Sequence, residues 1–121
     1  MQNKTSLTML PLGLLELDAD GTVLYFNPDK ENSSDGSAAG VVGRNIFTDI
    51  IPIAEAREFQ DRIKTFKRSP APADSFHFTF NCNQNYLPVK VLLARIHEQS
   101  MVGSTESILV HIRRLADRIA A

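Results

Sequence analysis

The chain has 121 residues, enough for one domain with one modest core, and its hydrophobic content of 43% and charged content of 22% are those of an ordinary globular protein. Lys and Arg number 13 against 14 Asp and Glu, a net charge of -1, which removes any electrostatic reason to bind nucleic acid or an anionic membrane. One cysteine, Cys82, excludes an internal disulfide and suits a reducing compartment. No apolar run approaches the ~20 residues of a membrane span, and the stretch from Met1 to Pro11 is a poor signal peptide, so a cytoplasmic location is expected.

In chain order, Leu12 to Leu17 and Thr22 to Phe26 are short apolar-rich runs joined by Asp18-Ala19-Asp20-Gly21. Gly21 supplies the positive φ such a turn needs, and Asp18 and Asp20 can bond their own backbone, so this reads as a β-hairpin. The polar stretch from Asp29 to Gly40 has no apolar periodicity and reads as a solvated loop or a few loose helical turns. Asn45 to Ile51 is a short helix candidate, capped by Asn45, stopped by Pro52, with Ile46 and Ile50 stacked at i, i+4. A longer helix runs from Ala54 to Lys67: Ala56, Phe59, Ile63 and Phe66 form its apolar face, and Glu55, Arg57, Glu58, Asp61, Arg62 and Lys64 take the other. Ser69-Pro70-Ala71-Pro72 ends it.

Phe76, Phe78, Phe80 and Cys82 then alternate with Ser75, His77, Thr79 and Asn81, the period of a strand with one buried and one wetter face. Asn83-Gln84-Asn85 is a turn, Leu87 to Ile96 a long strand, Glu98 to Thr105 a loop, and Glu106 to Arg113 a final strand with Ile108, Val110 and Ile112 facing in. Hairpins at both ends with helices between them predict an α+β domain, an antiparallel sheet with the helices on one face.

The run from Leu14 to Asn27 with its Asp18-Ala19-Asp20-Gly21 turn, and the run Val41-Val42-Gly43-Arg44-Asn45-Ile46-Phe47 to Pro52, resemble PAS domains and, within them, the photoactive yellow protein family. Further matches are the pair Glu58-Phe59, the strand Phe78-Thr79-Phe80 and Pro88-Val89-Lys90-Val91. The resemblance covers about Leu12 to Leu115 and implies the PAS fold, a five-stranded antiparallel sheet whose helical middle wraps a pocket. It divides the chain into an N-terminal flank, 1–11, the PAS domain, 12–115, and a tail, 116–121. The family's photochemistry does not carry over. Its chromophore cysteine follows the proline, where this chain has Ile53; its phenolate-holding tyrosine precedes the asparagine, where this chain has Phe26. Its buried glutamic acid falls on Lys30, with Glu31 one residue displaced. A thioester needs a thiolate nucleophile, and isoleucine supplies none. No covalent chromophore is expected.

The apolar set Phe26, Ile46, Phe47, Ile50, Ile51, Ile53, Phe59, Ile63, Phe66, Phe78 and Phe80 is the candidate pocket lining, and equally the set a small domain needs as plain core. Any ligand it takes is expected to be small, apolar and non-covalent. No metal site is expected: His77, His97 and His111 lie on predicted strands, and no H-x-x-x-H or C-x-x-C spacing occurs. Asp18, Asp20 and Gly21 make a tight turn rather than a calcium loop, since Asp29 at the twelfth place follows a strand. His77 beside Ser75 or Thr79 is the one pairing a catalytic reading could use, and same-face neighbours on a strand are common. No catalytic residue is assigned. Arg113, Arg114 and Arg118 are too few, and lack the aromatics, for a nucleic-acid site.

In PAS domains the flanks cover the outer sheet face or pair with a second copy, and the flanks here carry Leu7, Met9, Leu10, Leu115 and Ile119. Homodimerisation through the sheet and the N-terminal segment is expected, with a separate signalling protein as downstream partner. The functional expectation is a sensory or protein-interaction module, with a small stand-alone enzyme reusing the pocket, or a ligand-free adaptor, as alternatives.

Overall fold

The computed structural model describes residues 12–29, 38–51, 53–82 and 85–115. The two expected flanks, Lys30, Glu31 and Pro52 lie outside the described residues, as do the side chains of Ile53 and Cys82.

The elements follow the expected order. β1 (Gly13–Leu17) and β2 (Val23–Pro28) form the opening hairpin. A single turn, α1 (Ala38–Val41), and a π-helical turn (Ile46–Ile50) precede α2 (Ile53–Arg68). β3 (Ala73–Cys82), β4 (Asn85–Ser100) and β5 (Gly103–Arg114) complete a five-stranded sheet of order β2-β1-β5-β4-β3. All four pairings are antiparallel, and the strand order sets the first and last strands, β1 and β5, side by side inside the sheet.

Alternation along the strands sets the two faces. Leu15 and Leu17 of β1, Val89, Val91 and Leu93 of β4, and Ile108, Val110 and Ile112 of β5 are buried on the inner face. The buried stripe of α2, which includes Phe59, Ile63 and Phe66, joins them in one core cluster. Each such side chain contributes about 1.5–3 kcal/mol on burial.

The opening turn is fixed by short-range chemistry. Asp18 Oδ1 accepts from the backbone N–H groups of Asp20 and Thr22, both at 2.9 Å. Gly21 sits at φ 96°, and a Cβ there would meet the Phe47 ring at 2.5 Å, so only glycine allows this approach. Asn45 then ties the turn to the helical middle: its Nδ2 donates to Asp20 O at 3.0 Å, while its Oδ1 accepts from the N–H groups of Phe47 and Thr48.

Two expectations are corrected. The helix expected over Asn45 to Ile51 is a π-helical turn: Ile51 N–H donates to Ile46 O, five residues back, at 3.0 Å. The loop expected over Glu98 to Thr105 is the end of an unbroken β4–β5 hairpin, paired through Glu98↔Thr105 and Gln99↔Ser104 to Ser100↔Gly103. Pairing with β3 stops at Ala94 and pairing with β1 stops at Ile108, so five pairs project beyond both neighbours as a two-stranded ribbon. At about 3.3 Å per residue that is roughly 16 Å. Backbone pairing carries these polar residues where side-chain alternation gave no strand signal.

Candidate functional site

The space between α2, the π-helical turn and the inner sheet face is where the sequence places its candidate pocket. Phe26, Ile46, Ile51, Phe59, Ile63, Phe66, Phe78 and Phe80 fall in the one buried cluster, and Phe47 and Ile50 pack against it half-buried. Ile53 opens α2.

Phe59 is the hub of this interior. It is wholly buried, and its ring lies 5.6 Å from Phe78, 6.1 Å from Phe80, 6.2 Å from Phe76 and 6.3 Å from Phe47. Phe78 and Phe80 stand edge to face at 5.1 Å. These tilted and edge-on contacts are the arrangements ring quadrupoles favour. Among the described residues no polar or charged residue is buried in this core. Phe26 extends this wholly apolar surface onto β2, with no hydroxyl to hold an anion.

One carboxylate interrupts it. Glu55 Oε1 is buried with no hydrogen-bond partner among the described residues. Loss of water raises the Glu55 pKa from its ordinary value; hydrogen bonds from the backbone of Asn81 and from its own backbone act in the lowering direction, and the charge of Glu58 adds to the rise. Sequence reading put Glu55 on the wet face of the helix. The available signal was spacing: Glu55, Phe59 and Ile63 fall at i, i+4 and i+8 and share a stripe.

Both ends of α2 are held differently. At its C-terminus the Arg95 guanidinium donates to Phe66 O at 2.7 Å, Lys67 O at 3.2 Å, Ala71 O at 2.9 Å, and Ser69 O, and stacks 4.7 Å from the centre of the Phe66 ring. Lys67 Nζ donates to Ala19 O at 2.8 Å, fastening the same end to the opening turn. Two of the helix's last carbonyls, Phe66 and Lys67, are thus satisfied by a cation on β4, which favours the negative end of the helix dipole. At its N-terminus stands the unpartnered Glu55 oxygen.

His77, Ser75 and Thr79 are exposed on the outer face of the sheet, away from this interior. His97 lies 3.4 Å from Glu106 in the ribbon, and His111 lies 3.8 Å from Asp29. Among the described residues no group of three or more His, Cys, Asp or Glu could hold a metal ion, and no helix is long and apolar enough to cross a membrane.

No family model matches the chain. Photoactive yellow protein of Halochromatium salexigens is 33% identical over 85 residues, 70% of this chain and 68% of that protein. The photoactive yellow protein domain of the sensor histidine kinase Ppr from Rhodospirillum centenum matches with a TM-score of 0.56 at 22% identity, over 84% of this chain and 92% of that one. The PAS domain of the quorum-sensing receptor RpfR from Cronobacter turicensis, solved in complex with BDSF, matches with a TM-score of 0.57 at 16% identity, over 88% of this chain and 95% of that one. The same domain was also solved with C12:0. With its sheet order, its helical middle and its Asp18-to-Gly21 turn tied to Asn45, the chain belongs to the photoactive yellow protein family of PAS domains.

Proposed function

We propose that this chain is a sensory module that takes a small apolar ligand into the phenylalanine-lined interior without a covalent bond, and signals through a protein partner. The observation that carries this reading is the chemistry of the interior: every fully buried residue among the described ones is apolar, with the half-buried Glu55 at its edge, and Phe26 stands where the family's phenol would be. Ile53, at the place of the family's thioester cysteine, supplies no nucleophile. The RpfR PAS domain with BDSF and C12:0 supports an apolar ligand on this fold.

Phe59 meets four rings at 5.6–6.3 Å, so a ligand entering among them displaces side chains. The π-helical turn is the segment that yields: Phe47 and Ile50 are only half-buried there, and α2 beyond it is fastened at its far end by Arg95. A ligand that binds the displaced arrangement better shifts the population towards it by its differential affinity. The rearranged α2 is then read by a second copy, by a downstream signalling protein, or by both. A ligand-free adaptor is the second reading, favoured by an apolar groove on the outer sheet face lined by Leu14, Leu92, Ala94 and Leu109. Self-association through the sheet and the N-terminal segment, in the cytoplasm, belongs to either reading.

Mass spectrometry of freshly purified protein tests this. The proposal predicts a native mass above that of the polypeptide, the excess lost on denaturation, and a denatured mass unchanged by an activated p-coumaroyl ester. A persistent acyl adduct would overturn the non-covalent reading; a bare native mass that added dodecanoic acid does not raise would favour the adaptor.

A further inference from the structure

A groove of about 600 Å³ lies between the opening turn, the π-helical turn and α2. Phe47 and Ala56 give it an apolar floor, and of the candidate interior lining only Phe47 reaches it. The Phe47 ring is held from behind: it packs against Gly21, where a Cβ would meet it at 2.5 Å, and lies 6.3 Å from the Phe59 ring. Two bonds fasten the opening turn beside the groove. Asn45 Nδ2 donates to Asp20 O at 3.0 Å, and Lys67 Nζ donates to Ala19 O at 2.8 Å, so the turn is tied to both helical segments.

The charges around the groove differ in what they already hold. Asp18 Oδ1 accepts from the N–H groups of Asp20 and Thr22. Asp49 accepts from the Asn45 N–H and the Thr48 hydroxyl. The Lys67 ammonium serves Ala19 O. By contrast, Arg57 and Gln60 on α2 and the Asp20 carboxylate on the turn make no hydrogen bond or ion pair among the described residues, whether with one another or with Asp61 one helical turn beyond Arg57. A cation and an anion therefore line one groove and stay out of ion-pair reach of each other.

We infer that this groove binds a small zwitterion with an apolar side chain, as a free aliphatic amino acid is. The Arg57 guanidinium takes the carboxylate through its planar fork of donors. The Gln60 amide, three residues on along the same helix face, is a further donor. The Asp20 carboxylate takes the ammonium. The aliphatic side chain covers Phe47 and Ala56 and removes apolar surface from water. The charges select the class. A plain carboxylate that reaches Arg57 meets Asp20 across the groove, and a plain amine that reaches Asp20 meets Arg57, so each is opposed by a like charge. A molecule that carries both charges has neither conflict.

Amide and methyl NMR of the full chain, titrated with L-leucine, tests this. The comparators are isocaproate, which is leucine without its ammonium, and isopentylamine, which is leucine without its carboxylate. Leucine is expected to give saturable shifts at the amides of Phe47, Thr48, Arg57 and Gln60, half-complete at about 1 mM. Each comparator is expected to bind about fivefold or more weakly. Two variants, each checked for folding by thermal melting, assign the charges. Asp20→Asn is expected to bind leucine and isocaproate alike, and Arg57→Gln to bind leucine and isopentylamine alike, a pattern that a merely structural role of either side chain would not produce. No saturable shift at these amides by about 20 mM leucine, or shifts at the interior methyls of Ile46, Ile63 and Leu93 instead, would overturn the site. Comparators that bind the wild type as tightly as leucine does, or variants that keep its full preference for leucine, would overturn a zwitterion as the ligand.

Discussion

Glu55 shows how one residue departs from the pattern around it. The helical period puts Glu55 in register with Phe59 and Ile63, and an oxygen of its carboxylate is buried without a partner. Burial raises its pKa, so the folded chain holds this proton more tightly than the unfolded chain does. The stability this contributes is complete in acid, below the ordinary carboxylate range, and is lost as pH rises through the raised value. Glu55→Gln keeps the shape and removes the charge. It is expected to be more stable than the wild type near neutral pH and equal to it in acid, as denaturant melts across pH will measure. A difference independent of pH would contradict this cause. Phe59 lies at the other extreme. Wholly buried among four rings, it is expected to cost about 3–5 kcal/mol on replacement by alanine, read as a drop in the denaturant midpoint.

Among the elements, α2 decides how the interior can respond. Arg95 satisfies carbonyls of Phe66, Lys67, Ser69 and Ala71 together, a geometry that suits a planar fork of donors and not an ammonium. Arg95→Met is expected to cost about 2–3 kcal/mol, because several carbonyls lose a charged partner at once, and Arg95→Lys to recover only part of it. Hydrogen exchange is expected to speed in the last turn of α2 in the methionine variant while the central strands stay protected. Equal loosening across the whole helix would mean that Arg95 is not a local clamp. The π-helical turn, where Phe47 and Ile50 are only half-buried, is where opening is expected to begin. The ribbon is the other element with a consequence beyond its own pairing. Its tip residues Met101 and Val102 are fully exposed, 101% and 96%, in a two-residue loop, a length of hairpin loop that most often takes Gly, Asn or Asp.

At the scale of the whole molecule, most of the fold was legible in the sequence, because its signals were periodic. Phe76, Phe78 and Phe80 alternate as a strand must; Phe59, Ile63 and Phe66 recur as a helix face must; and Asp18 to Gly21 is a turn by its own hydrogen-bonding chemistry. The five-stranded antiparallel sheet followed from those elements and their order. What stayed illegible was set by tertiary contact. The ribbon is held by backbone pairing between polar residues, which leaves no hydrophobic period. The π-helical turn has the cap and the apolar residues of an α-helix, and only the Ile51-to-Ile46 bond separates the two. The row of His77, Lys90 and Arg113 on the outer face emerges only when β3, β4 and β5 are set in register, since the three are far apart in the chain. As for the candidate pocket, its residues do come together, yet a set of buried phenylalanines has the same sequence signature whether it lines a cavity or fills one.

Methyl NMR during a titration with dodecanoic acid separates those two states and also locates the ligand. Ile46, Ile63 and Leu93 report the interior, while Leu14, Leu92 and Leu109 report the outer groove. Saturable shifts at Ile46, Ile63 and Leu93, with the largest change at the π-helical turn, are the predicted result. Shifts confined to Leu14, Leu92 and Leu109, or none at any methyl, would contradict a ligand-binding interior.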